Sequence, residues 1–161
     1  MITIKNYKKG ISIVEILVII AIIGIALVTL LGLATFSLRV STLIKETTQA
    51  KDIVQETIEA VRNFRDGTNW DTNGLGTLTS GTAYYPRKSI DTPPKWQLIQ
   101  GEETINGFTR KVVFSDVMRD GNDNVVEGGG TNDPNTKKMK VTVSWKNKNI
   151  EIVTYLTNWK Q

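Results

Sequence analysis

The side chain with the clearest potential for chemistry is the carboxylate of Glu15, which lies at the start of an uncharged stretch. The twenty-three residues that follow it, Ile16 to Leu38, carry no charge. At a rise of about 1.5 Å per residue, a helix of that length covers about 35 Å, which exceeds the roughly 30 Å hydrocarbon core of a bilayer. A carboxylate at the centre of such a helix costs about 2.5 to 3.5 kcal/mol, less near its end, so Glu15 needs a cationic partner.

Peptide hydrolysis before Ile11 would create that partner. A cut between Gly10 and Ile11 leaves an α-amine one helical turn from Glu15, and the same amine on a neighbouring chain could lie as close. Gly10 suits a cut site because a residue without Cβ lets a protease approach the backbone closely. The sequence therefore predicts processing at Gly10 and Ile11, followed by charge pairing with Glu15.

The segment from Lys8 to Leu38 resembles the N-terminal cleavage and methylation motif of type IV prepilins and type II secretion pseudopilins. The likeness lies in Lys-Gly followed by Ile-Ser-Ile-Val-Glu-Ile-Leu-Val-Ile-Ile-Ala-Ile-Ile-Gly-Ile. Gly10, Ile11 and Glu15 match the pattern position by position. The sequence departs from it in two places, since Ile11 replaces the usual phenylalanine and Gly32 stands where many major pilins have proline.

This resemblance implies a sequence of events at the membrane. A prepilin peptidase would cut after Gly10 and N-methylate Ile11, leaving 161 − 10 = 151 residues. The mature chain would then leave the membrane lipid, with the help of an inner-membrane assembly platform. It would pack its N-terminal helix, through Ile11 and Glu15, against other pilin or pseudopilin subunits.

The charges before the apolar stretch predict its orientation. Lys5, Lys8 and Lys9 precede it without an acidic residue, which places the N-terminus in the cytoplasm and everything after Leu38 outside. The apolar run is too long for an ordinary cleaved secretory signal, and no Ala-x-Ala-like site follows it. We therefore expect a single-pass protein of the bacterial cytoplasmic membrane that ends in a cell-surface or periplasmic filament.

Four segments are predicted along the chain: a leader at 1–10, a transmembrane or filament-core helix at 11–38, an amphipathic helix at 39–65 and a loop-rich β domain at 66–161. The amphipathic part shows apolar residues at spacings of three and four, among them Val40, Leu43, Val54 and Val61. Proline is absent from Ile11 to Arg65, and Asp66-Gly67 supplies a stop. One continuous helix is therefore predicted.

Alternating residues in the last third of the chain predict an antiparallel sheet with one apolar face. The three clear strands are Phe108–Ser115, Met139–Trp145 and Ile150–Leu156, with Lys146–Asn149 joining the last two as a hairpin. Brief strands are predicted at Leu75–Thr79 and Trp96–Ile99. With the helix covering the apolar face, the fold class is α+β, pilin-like, with a long N-terminal helix packed on a C-terminal antiparallel β-sheet.

Composition narrows the function classes. The chain has no cysteine and no histidine, which removes thiol and imidazole catalysts and the metal sites that depend on them. The net charge of +4 includes three leader lysines, so the mature chain is near +1 and no specific nucleic-acid partner is predicted. No nucleophile, base and orienting group stand together at a recognisable spacing, and we expect no enzyme activity.

A polar loop offers the one cofactor candidate, calcium. Asp120, Asn122, Asn124 and Glu127 carry the oxygen ligands that Ca²⁺ takes, but Val125 stands where an EF-hand loop requires glycine. A solvated loop stabilised by Asx turns explains the same residues. Both interpretations stay open from the sequence.

Two classes of function remain. The first is a minor structural subunit of a type IV pilus, because Gly107–Val112 and Val141–Trp145 resemble segments of minor pilins and minor pseudopilins. A minor pseudopilin of a type II secretion system or a DNA-uptake filament fits the same residues. The second class is an uncleaved, membrane-tethered extracytoplasmic binding module, whose contact residues would be Trp70, Tyr84, Tyr85 and Trp96.

Overall fold

The computed structural model describes Gly10 and residues 12 to 159. They fall into two compact units, one ending at Lys45 and one beginning at Glu46. The first helix, α1, spans Ile13–Gly67, so the uninterrupted helix predicted from the sequence is confirmed. Its last turn is closed by Thr68, whose hydroxyl donates to the Phe64 carbonyl at 2.7 Å and satisfies one of the acceptors that a helix end leaves open.

Among the described residues of the second unit, a short 3₁₀ helix and seven strands follow α1. The 3₁₀ helix is Leu75–Thr77, and the strands are β1 (Ala83–Lys88), β2 (Trp96–Gln100), β3 (Glu103–Ile105), β4 (Phe108–Arg119), β5 (Val125–Val126), β6 (Thr131–Trp145) and β7 (Lys148–Thr157). All pairings are antiparallel, in the order β2-β1-β4-β6-β7, with β3 and β5 also paired to β4. The sheet therefore has β2 and β7 at its ends.

The second half of α1 covers one face of the sheet. Ala50, Val54 and Val61 of the helix are buried and form one core with buried residues of β4 and β6, including Phe114 and Val141. A helix presents residues spaced by three and four on one side, which is why these positions reach the sheet together. The α+β class with a long N-terminal helix packed on an antiparallel sheet is thus confirmed.

The alternation predicted for β6 is present. Met139, Val141, Val143 and Trp145 are all buried, and β6 pairs along its length with β4 and β7. The strands are longer than predicted, because β6 begins at Thr131. The hairpin turn is also tighter, since Trp145 pairs with Lys148 and only two residues intervene.

Between 66 and 106, one predicted strand needs correction and one observed strand was not predicted. The strand expected at Leu75–Thr79 is wrong, because Leu75–Thr77 forms a 3₁₀ helix whose Gly76 N–H donates to the Trp70 carbonyl at 3.0 Å. The sequence does not predict β1, because Pro86 in its middle is typical of a break between strands. Pro86 is accommodated since β1 pairs with β4 only at Ala83 and Tyr84, whereas its pairing with β2 runs from Tyr84 to Lys88.

Candidate functional site

Gly10 lies on open backbone just before α1. It is exposed, and a Cβ built on it would meet nothing within 4 Å. The peptide on its carboxyl side leads to Ile11, which lies outside the described residues, so the predicted role of Ile11 stays a prediction. Among the described residues, none has a side chain packed against Gly10 that would hinder an approaching enzyme.

Glu15 lies in the first turn of α1. Its backbone N–H and that of Ile16 both donate to the Ser12 carbonyl, at 3.0 and 3.2 Å, so the helix begins directly after Ser12. An acidic residue in the first turn interacts favourably with the positive end of the helix dipole. The next charged residue along the helix is Arg39, about 36 Å away at the helical rise. A cation for Glu15 must therefore come from the segment before the helix or from another molecule.

The helix surface that follows Glu15 is apolar and exposed. Ile16, Leu27 and Leu38 have exposed fractions of 47%, 55% and 69%, and no residue of the first unit is buried among those described. The helix is long and apolar enough to cross a membrane. Exposed apolar area of this extent marks a surface that is covered by lipid or by another protein.

Two threonines in this apolar stretch bond to the helix itself. The Thr29 hydroxyl donates to the Ile25 carbonyl at 2.7 Å, and the Thr35 hydroxyl donates to the Gly32 carbonyl at 2.9 Å. Because polar groups in hydrocarbon must find partners within the protein, these bonds allow both hydroxyls to lie in an apolar environment.

The polar loop considered for calcium is held by its own hydrogen bonds. Asp120 Oδ1 accepts from the backbone N–H of Asn122 at 2.9 Å and of Asn124 at 2.8 Å, and its Oδ2 accepts from Asn124 Nδ2 at 3.1 Å. The Asn124 side chain, followed by its backbone N–H, holds the pKa of Asp120 below its ordinary value. Glu127 is exposed. These bonds are those of an Asx turn.

No group of three or more acidic, histidine or cysteine side chains in the described part of the chain is placed to hold a metal. The calcium interpretation of Asp120, Asn122, Asn124 and Glu127 accordingly stays a prediction from the sequence, whereas the Asx turn is present in the structure.

The four aromatic residues considered as ligand contacts divide into two pairs. Trp70 and Tyr84 are buried; the Trp70 indole N–H donates to the Pro134 carbonyl at 2.9 Å, and the Tyr84 hydroxyl accepts from the Thr79 N–H at 3.3 Å. Both therefore anchor loops to the sheet. Tyr85 and Trp96 are half-buried, and the Lys88 ammonium lies 5.2 Å from the centre of the Trp96 ring.

Ion pairs join neighbouring strands of the sheet. Lys137 Nζ lies 2.6 Å from Asp116 Oδ1, and its hydrogen bond holds the pKa of Asp116 below the ordinary value. Arg119 Nε lies 2.7 Å from Asp133 Oδ2. Hydrogen bonds from Thr136 and then Arg119 lower the pKa of Asp133, and the bond to Asp133 raises the pKa of Arg119. These pairs stabilise the charged forms on both strands.

A cleft that the sequence did not indicate lies beyond the end of α1. Its volume is about 620 Å³, and its lining includes Arg65, Asn69, Asp71, Asn135, Asn158 and Trp159. The Trp159 side chain is 61% exposed, and its indole N–H donates to Asp66 Oδ1 at 2.9 Å. The residues that line the cleft come from three separate parts of the chain, so no local spacing in the sequence predicts this cleft.

No family model, curated protein or solved structure matches this chain.

Proposed function

We propose that this chain is a minor structural subunit of a type IV pilus or a related filament. In this proposal a prepilin peptidase cleaves after Gly10 and N-methylates Ile11, and the mature chain assembles through its N-terminal helix. The observation that carries the proposal is Glu15, an acidic residue in the first turn of an exposed apolar helix, five residues after an accessible Gly10.

Charge pairing would favour transfer of the helix from the lipid into the filament. A carboxylate near an end of the hydrocarbon is tolerated, but it is stabilised further by a cation at short range. Cleavage produces an α-amine at Ile11, and in a stack of pilin helices each amine would lie near the carboxylate of a neighbouring subunit. The pairing would fix the register between subunits, while the apolar surface from Ile16 to Leu38 moves from lipid to protein contacts.

Single-pass membrane insertion before assembly agrees with the length and exposure of the helix. We place the N-terminus in the cytoplasm from Lys5, Lys8 and Lys9. The second compact unit, which begins at Glu46 and which we call the sheet domain, would then face outward from the cytoplasmic membrane and later from the filament. A secretion pseudopilus or a DNA-uptake filament would use the same processing and pairing, and the machine that incorporates the subunit distinguishes them.

Cross-linking tests the assembly step. The chain has no cysteine, so Leu17→Cys introduces a single thiol on the exposed helix close to Glu15. In cells with a prepilin peptidase and a filament machinery, we expect a photo-cross-linker attached to this thiol to join the chain to neighbouring subunits in the sheared filament fraction. Glu15→Ala should abolish incorporation while leaving insertion and cleavage intact.

Asp52→Ala is the matched control, because Asp52 is another exposed carboxylate on the same helix, beyond the apolar stretch. It should incorporate normally. Normal incorporation of Glu15→Ala would contradict the pairing step, and absence of the unsubstituted subunit from filaments of every such machinery would contradict the function itself.

A further inference from the structure

The cleft beyond the end of α1 is lined by three separate parts of the chain. Arg65, Asn69 and Asp71 line it from the end of the helix and the following turn, and Asn135, Asn158 and Trp159 line it from β6 and the segment after β7. Its volume of about 620 Å³ is within the range of small-ligand sites. The proposed filament role makes no use of it.

Trp159 is held in place with its ring exposed. Asp66 Oδ1 accepts from the indole N–H at 2.9 Å and also from Arg65 Nε at 2.8 Å, so one carboxylate positions both side chains. The backbone beside it is fixed because the Asn158 N–H donates to the Asn135 carbonyl at 2.8 Å. A 61% exposed indole that is already oriented loses little entropy when a ligand stacks on it.

The amides next to this ring retain bonding capacity. Asn158 Nδ2 donates to Asn135 Oδ1 at 3.3 Å. A carboxamide offers two donor hydrogens and two acceptor lone pairs, so this bond uses a small part of what the pair provides. Side chains that present donors and acceptors side by side suit hydroxyl groups, which both donate and accept.

Charge and polarity narrow the ligand class. The Arg65 guanidinium is paired with Asp66, and Asp71 adds a further carboxylate, so the cleft has no excess positive charge for an anion among its described residues. An apolar ligand would bury the surrounding amides and carboxylates without partners, which is costly. A neutral, hydroxyl-rich ligand with an apolar C–H face meets both requirements, since that face can stack on the indole.

We infer that this cleft is a binding site for a neutral saccharide, with Trp159 as the stacking platform and Asn135 and Asn158 as hydroxyl partners. A second polar cleft of about 550 Å³ also includes Asn135 and Asn158 in its lining and continues past Asp133 and Thr157. Because Asn135 and Asn158 line both clefts, a ligand bound to them can extend from one cleft into the other. The two clefts together can hold more than one sugar unit, so the ligand is an oligosaccharide.

Titration of the full chain with defined oligosaccharides tests the inference. The protein is reconstituted in lipid nanodiscs, because maltoside detergents carry sugar headgroups that would compete. Chitotetraose, maltotetraose and cellotetraose are the probes, and binding is followed by calorimetry and tryptophan fluorescence. We expect saturable binding of at least one probe, weakened about tenfold or more by Trp159→Ala.

Three variants distinguish the loss of specific contacts in the cleft from a general loss of folding or binding. Trp159→Phe keeps a stacking ring and should retain part of the affinity, and Asn158→Ala should weaken binding independently of the ring. Tyr155→Ala removes another exposed aromatic ring, outside both clefts, and should leave affinity unchanged. Circular dichroism checks that each variant is folded.

The inference is overturned if none of the three neutral probes binds. Equal affinity of the wild type with both Trp159→Ala and Asn158→Ala would also overturn it. None of these results bears on cleavage at Gly10, so failure here is distinguishable from failure of the proposed function.

Discussion

Gly76 is packed so closely against Trp70 that a single methyl group there should disturb the sheet domain. A Cβ at position 76 would lie 2.6 Å from Trp70 Cδ1, 2.7 Å from its Nε1 and 2.7 Å from its carbonyl oxygen. Contacts this short require movement of one of the groups. The indole has little room to move, because Trp70 is 5% exposed and its N–H donates to the Pro134 carbonyl at 2.9 Å.

The cost of Gly76→Ala has two parts. Overpacking a filled site costs about 1 to 3 kcal/mol, and loss of the Trp70 hydrogen bond adds about 0.5 to 1.5 kcal/mol. We therefore expect the free energy of unfolding to fall by about 1.5 to 4.5 kcal/mol. Urea unfolding of the sheet domain in the nanodisc-held chain, followed by tryptophan fluorescence, measures this change.

Gly121→Ala is the matched control, since a Cβ at that exposed position would meet nothing within 4 Å. Its effect should stay within about 0.5 kcal/mol. If Gly76→Ala proved as mild as Gly121→Ala, the close packing between the 3₁₀ helix and Trp70 would be refuted.

Two further predictions concern charged groups of the sheet domain. Arg110 is 4% exposed and bonds to Glu103, Glu56 and the Pro86 carbonyl, so Arg110→Ala should cost about 3 kcal/mol in urea unfolding. The exposed Arg87→Ala should change little, and a similarly small effect at Arg110 would contradict its bridging role. The hydrogen bond from Lys137 lowers the folded-state pKa of Asp116. The stabilisation that this bond provides is therefore complete above the unfolded-state pKa of about 3.9, and it is lost as the pH falls through the folded-state pKa. Thermal unfolding should therefore lose less stability on acidification in Asp116→Asn than in the wild type, and identical pH profiles would contradict this pairing.

The parts of the fold that were predictable are those where one face is buried over several residues. β6 alternates because Met139, Val141 and Val143 all pack into the core, and the period of two is visible in the sequence. The helix was predictable because its apolar stretch and the absence of proline are both local properties. Its observed end at Gly67 agrees with the stop signal at Asp66-Gly67.

The parts that were not predictable depend on tertiary context. β1 contains Pro86, which a strand accommodates only because β4 no longer pairs at that position. One signal for a further strand is local: Asn106 and Gly107, with φ of 51° and 84°, form the turn between β3 and β4, and Asn-Gly is a strong hairpin signal. This dipeptide is enough to predict β3.

The candidate sites differ in the same way. Gly10, Ile11 and Glu15 lie within one short segment, so their relation is readable from spacing. The saccharide cleft depends on contacts such as that between Asp66 and Trp159, which are 93 residues apart. No local pattern predicts such a pair, which forms because the segment after β7 lies beside the end of α1 in the folded chain.

The intact mass of the chain, after co-expression with a prepilin peptidase in membranes, tests the central claim most directly. We expect loss of the ten residues Met1 to Gly10 and gain of one methyl group. Gly10→Val should abolish both changes, whereas Gly24→Val, a glycine-to-valine control within the apolar helix, should preserve them. Retention of Met1 to Gly10, under conditions where an established prepilin is fully cut, would contradict the proposed processing and favour an uncleaved, membrane-tethered binding module.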